Sequence, residues 1–349
     1  MRIDYQLLTD LDIELNQFLL NDTRSLFYQS ENYLKLLQAY LVCDMFIFIC
    51  RENEGILAVF PLAVKRNSIY GNVANSLPFY GSNGSFVFNE SVSSAKRNEI
   101  RHLFNWKLNE FLNVEEIGAF TFVCSPFQME DSDWFEKNLS YTHTDSRIGQ
   151  VTKLPVYSGS IEADLLQCFD NPRPRNIRRA LKAEIIVEKQ YNQESLNFLY
   201  STHKQNIEAI GGKAKDKSFF DAIPFNFTRD DYAIYVAYKG TQPIAALLLF
   251  YFNKTVEYFT PATIHEFRND QPSALLIFEA MKDAAFLGYE HWNWGGTWKS
   301  QEGVYDFKRK WGAEDFEYQY FTRVVNSRLL NEDIKELSTA FPYFYLFPY

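Results

Sequence analysis

The sequence predicts an α/β protein in which one unit is built twice, and three observations carry that prediction. Two pairs of apolar, β-rich runs are each split by a short turn containing glycine. Each pair follows a segment with a helical apolar stripe and leads on to a second one. Each half then closes on a short apolar strand.

In the first half, Glu31 to Tyr40 places Tyr33, Leu34, Leu36, Leu37 and Tyr40 on one helical face. Asp44 to Cys50 reads as a strand, Glu52 to Gly55 as a turn and Ile56 to Val64 as the returning strand. A loop with Pro78 and Gly81 follows, then a helix near Ser94 to Leu112 and a strand from Ala119 to Cys124. The second half runs the same course. A helix spans Glu194 to Ala209, and a hairpin joins Tyr232–Tyr238 to Ile244–Phe252 through Lys239 to Gln242. Strand Thr255 to Thr260, helix Pro272 to Leu287 and strand His291 to Trp294 complete it. The less apolar stretch from Gln150 to Pro172 separates the halves, which predicts domains at 1–160 and 161–349.

The 349 residues suit two domains of ordinary size. With 46% hydrophobic and 23% charged residues the chain is globular. A net charge of -9 weighs against a general nucleic-acid binder, and DNA is not expected as a partner. Cys43, Cys50, Cys124 and Cys168 form no C-x-x-C pair and read as buried free thiols in a reducing compartment. No Cys/His cluster suggests a metal. The start of the chain lacks a signal pattern and no apolar run reaches membrane length, so the cytoplasm is the expected location. The aromatic tail from Thr339 to Tyr349 reads as packing onto the body ahead of a membrane or partner contact.

Four segments hold candidate functional residues. Trp292 to Gly312 combines tryptophans with Gly295 and Gly296, where backbone turns sharply or lets a ligand approach. Within it, Lys308 suits an oxyanion or phosphate, and Tyr305 or Glu302 suits proton transfer. The loop Asn269, Asp270, Gln271, Ser273 holds capping residue types, and Pro272 suits a first helical turn. A helix start after a strand also suits a phosphate, which makes Asn269, Gln271 and Ser273 the cofactor candidates. Against this, the loop has no glycine and Asp270 would repel an anion. Arg175, Arg178 and Arg179 fall at i, i+3 and i+4 on one helical face, which suits an anionic ligand or a solvated basic face balanced by Glu184 and Glu188. Ser76 to Phe86, with Phe79 and Tyr80, reads equally as a substrate rim or a plain loop.

Gly303 to Gly312 (GVYDFKRKWG) resembles the G-x-x-x-F-K-x-x-[FW]-G motif of Fem-like transferases, whose members carry two tandem GNAT-type domains. Trp292 to Gly296 resembles the strand-and-glycine segment before that motif. Ser76 to Phe79 resembles the S-L-P-F segment of the acetyltransferase-annotated branch, and Arg175 to Ala183 the basic helix opening the second domain. The resemblance runs from about Phe27 to Tyr320. It implies an acyltransferase with two tandem GNAT-like domains, acting on an amine of a sugar-nucleotide or lipid-linked envelope precursor. It implies acyl-CoA or aminoacyl-tRNA as co-substrate with no tightly bound cofactor. Lys308, Tyr305 and Glu302 become the catalytic candidates. Arg175, Arg178, Phe79, Tyr80, Gly295, Gly296 and Phe307 become those for substrate. The alternatives are a Fem-type aminoacyl-tRNA transferase, for which tRNA is a partner, and a non-catalytic glycan- or peptide-binding module of the same fold.

Overall fold

The computed structural model describes residues 1–79, 81 and 83–347. The chain divides into two compact units, Met1–Arg147 with Glu317–Tyr349, and Ile148–Phe316.

In the first unit, strand Arg2–Leu7 pairs antiparallel with Asp44–Glu52, which forms a hairpin with Gly55–Lys65. Gly55–Lys65 also pairs antiparallel with Asn72–Asn75. Asn72–Asn75 then lies parallel to Ile117–Val123. Residues 320–324 close the sheet, antiparallel to 119–123. The hairpin is continuously apolar because both of its faces are covered. Phe48 meets Phe104 and Phe111 of helix Ser94–Val114 edge-on, Phe60 meets Phe104 edge-on, and Phe122 stacks on Phe60 in one core. Helix Glu31–Leu41 starts where the Ser30 hydroxyl accepts from the Tyr33 amide.

The second unit repeats this order. Strand Ile185–Gln190 pairs antiparallel with Tyr232–Lys239, whose hairpin partner is Gln242–Phe252. Thr255–Thr263 pairs antiparallel with Gln242–Phe252 and parallel with His291–Thr297. Residues 148–153 close this sheet, antiparallel to His291–Thr297. Helix Pro272–Phe286 supplies Leu275, Leu276, Phe278 and Met281 to a core with Trp292, Trp294 and Trp311. The α/β class and its duplication are therefore as the sequence predicts.

The closing strands are exchanged. In a plain repeat, the strand after Ile117–Val123 would complete the first sheet, and the strand after His291–Thr297 the second. Here residues 148–153 complete the second sheet and residues 320–324 the first. The units accordingly divide at 147/148 and again at 316/317, where the sequence analysis placed one boundary between 160 and 161. Composition marks loops, and this division falls inside two strands, His143–Lys153 and Ala313–Val324.

Of the four free cysteines, Cys43, Cys50 and Cys124 are buried, while Cys168 is exposed, which corrects the expectation that all four pack inside. Among the described residues, no helix is long and apolar enough to cross a membrane. The described part of the aromatic tail is packed, with Phe341, Phe344 and Leu346 at most 2% exposed.

Candidate functional site

The site of the second unit grows out of one irregular strand. In His291–Thr297, Trp292 and Trp294 point into the core while Asn293 is held by Glu257, its Nδ2 donating to Oε2 at 2.8 Å. The pairing with residues 148–153 shifts register between Asn293 and Gly296, a β-bulge. Gly295 takes φ +70 there, the left-handed region that favours glycine, and its amide donates to Asn293 Oδ1 at 2.9 Å. From the sequence this strand ends at Trp294. The structure continues it to Thr297, so the Gly-Gly pair bends a strand rather than leaving it.

The bulge has an occupant. Segment Glu302–Arg309 is a helix, and Lys308 on its last turn is only 7% exposed. Its Nζ donates to the Gly295 and Gly296 carbonyls at 3.2 Å each and to Thr297 Oγ1 at 2.8 Å. These are the three donors an ammonium has. Burial pulls the Lys308 pKa down to about 8 from the ordinary 10.5. Trp294, Phe307 and Trp311 pack the helix against the strand, with Trp294 and Trp311 stacked at 6.0 Å.

Arg173 adds a second cation. Its guanidinium lies 4.3 Å from the Phe307 ring centre and 5.3 Å from that of Trp311. Its Nη2 donates to the Phe307 carbonyl at 2.9 Å, and its buried Nε has no hydrogen-bond partner among the described residues. Burial lowers its pKa.

Lys308, Phe307 and Arg173 line an open cleft of about 700 Å³ in this unit. Its other walls include Tyr258 and Pro261 to Thr263 on the neighbouring strand, Arg268, and the start of helix Pro272–Phe286. Arg173, Arg268 and Lys308 bring three cationic side chains to it, and no carboxylate is among the described lining residues. In a chain of net charge -9 this is a local reversal of sign.

The sequence candidates fall unevenly about this cleft. Lys308, Phe307, Gln271 and Ser273 line it, and Asn269 is exposed outside the lining. Gln271 caps the helix in the left-handed region, φ +62, with no side-chain cap bond, and Ser273 Oγ instead meets Thr263 Oγ1 at 2.6 Å. Asp270, expected to repel an anion, is paired with Lys239 at 2.7 Å. Tyr305 and Glu302 are on the same helix as Lys308 but not in the lining. The Tyr305 hydroxyl donates to Asp315 Oδ2 at 2.7 Å, and that bond raises its pKa. Arg175 and Arg178 are exposed and also outside the lining. Phe79 belongs to the first unit, where it is 1% exposed between Tyr40 and Tyr343. Tyr80 lies outside the described residues.

Arg173 was not selected from the sequence, yet a signal was present. It stands four and seven residues before Ile177 and Ala180, the buried positions of its helix, so it shares their face.

Residues 232–319 match the model of the FemAB family. No curated protein matches the chain in sequence. Among solved structures, FemX is similar at 15% identity and a TM-score of 0.72, over 95% of this chain and 99% of that one. A conserved protein of unknown function from Bacteroides thetaiotaomicron is similar at 12% identity and a TM-score of 0.58, over 92% and 99%. A tandem GNAT protein from the clavulanic acid biosynthesis pathway is similar at 8% identity and a TM-score of 0.52, over 92% and 98%. At these identities the likeness is one of fold.

Proposed function

We propose that this chain, an acyltransferase of the Fem-like kind by its family match over 232–319 and its tandem GNAT fold, uses the cleft of its second unit to transfer an acyl or aminoacyl group to an amine. The observation that carries the proposal is the buried Lys308 lining a cleft with three cations and no carboxylate among its described lining.

The donor class is a phosphate-bearing ester or thioester, acyl-CoA or aminoacyl-tRNA. Arg173 and Arg268 meet its phosphates, on the wall where helix Pro272–Phe286 turns its positive end to the cleft. The acceptor follows the Fem resemblance: an amine on a sugar-nucleotide or lipid-linked envelope precursor. The amine nitrogen bonds to the donor carbonyl carbon and the carbon–oxygen or carbon–sulfur bond breaks. The nitrogen's proton ends on the leaving oxygen or sulfur. Lys308 faces the negative charge that gathers on the carbonyl oxygen in between. Its two 3.2 Å bonds to Gly295 and Gly296 are the weaker ones and the ones it exchanges for the oxyanion. The bulge fixes where the ammonium stands, so little reorganisation is needed at the moment of reaction.

Acetyl-CoA and a charged tRNA, offered separately with amine acceptors, test the reading by product formation. One donor should give product, and Lys308→Ala should lower its turnover ~100-fold or more. Undiminished turnover by a folded Lys308→Ala protein refutes the role. Binding of a donor with no product from any acceptor makes the unit a recognition module.

A further inference from the structure

We propose that the first unit carries a groove that recognises a peptide, and that the chain's own residues 341–347, which turn at Pro342–Tyr343, are its ligand in the resting protein. This stands apart from what the second unit's cleft binds.

Asn75 and Thr121 are 0% exposed on paired strands. A buried amide and hydroxyl need partners, and much of what they have comes from the tail. Asn75 Oδ1 accepts from the Tyr345 amide at 2.7 Å, and Asn75 Nδ2 donates to the Tyr345 carbonyl at 2.9 Å. One side-chain amide therefore reads both backbone groups of one residue, as a neighbouring strand would. Thr121 Oγ1 donates to the same carbonyl at 2.7 Å. Two residues earlier, the Tyr343 carbonyl accepts from the Phe79 amide at 2.9 Å. The Tyr345 hydroxyl donates back to the Phe79 carbonyl at 3.1 Å.

Side-chain pockets accompany these backbone contacts. Tyr343 packs on Phe79 at 5.1 Å and on Tyr40 at 6.1 Å. Tyr345 meets Tyr320 edge-on at 4.9 Å. Backbone bonds supply affinity and pockets for alternate side chains supply selectivity, the pattern by which a groove recognises a peptide. Plain packing of a greasy tail would need neither the paired bonds of Asn75 nor the bond of Phe79.

Two measurements on different proteins test this. In the full chain, Asn75→Ala removes the bond from the Tyr345 amide and one of the two described bonds to its carbonyl, leaving that from Thr121. Hydrogen exchange should then show the Tyr345 and Phe79 amides losing protection at least tenfold, with Val123, inside the sheet, unchanged. Unchanged protection at Tyr345, or equal loss at all three, overturns the proposal. In the second, the chain ends after Ala340 and a fluorescent peptide of residues 341–349 is added in trans. Saturable binding is expected to the shortened chain, none to the full chain whose groove is filled, and ~10–100-fold weaker binding when Asn75 is Ala. A shortened chain that keeps its near-UV circular dichroism but binds no peptide, or binds it equally well without Asn75, overturns the proposal. If shortening unfolds the chain, the hydrogen-exchange result alone decides.

Discussion

Lys308→Met should change how stability depends on pH, and the size of the change follows from burial. The Lys308 ammonium is paired only with neutral acceptors, and its pKa falls from 10.5 in the unfolded chain to about 8 in the folded one. Below about pH 8 both states hold the proton, and the folded state carries the whole penalty of burying a charge. Between about 8 and 10.5 the folded state has released the proton while the unfolded state still binds it, so stability rises with pH. Above 10.5 neither state is charged and the rise stops. At about 1.4 kcal/mol per pH unit, the interval amounts to about 3 kcal/mol. Methionine has no proton to release, so the variant lacks this rise. Urea unfolding of both proteins at pH 7, 8.5 and 10 isolates the effect, because every other titrating group is common to them. The stability of the natural chain relative to Lys308→Met should improve by about 2–3 kcal/mol between pH 7 and 10. Parallel pH curves would show that the buried ammonium titrates normally, and the argument from burial would fail.

Two further outcomes can be measured alongside. Gly312→Ala should destabilise by about 3 kcal/mol or more in urea unfolding, because φ is +73 and the new Cβ would stand 2.5 Å from the Cys168 carbonyl oxygen. Gly295→Ala, at φ +70 with nothing within 4 Å, should lose only about 1 kcal/mol; equal losses refute the steric account. Arg173→Lys should raise KM for the donor ~10-fold and leave kcat within about twofold, since an ammonium reproduces the charge but not the planar stack on Phe307; an unchanged KM removes Arg173 from donor binding.

What the sequence disclosed was local. Both hairpins were readable because each β-rich run meets its partner across a turn of a few residues. Lys308 was readable because the motif places glycines, Phe307 and Trp311 around it. The closing strands were not readable, because residues 148–153 and 320–324 pair with partners roughly 140 and 200 residues away. Arg175 and Arg178 attracted notice through their spacing on a surface that turned out to be solvent-exposed. Arg173, two positions away, shares the face of the buried Ile177 and Ala180, and its long side chain reaches over Phe307. Tyr305 was chosen for its chemistry, but which group its hydroxyl meets depends on Asp315, in a strand the sequence analysis did not anticipate.

The exchanged strands set a timetable on the ribosome. Val123 meets its partner Tyr320 only after roughly 200 further residues have been made. At about 5–20 residues per second that is a wait of roughly 10–40 s. Throughout it, the first sheet ends on an unsatisfied row of backbone groups along Ile117–Val123. The strand made next, residues 148–153, is the nearest available substitute, and capture by it would leave the Trp292 strand without its own partner. During synthesis the chain must keep its second sheet's strand from settling on its first.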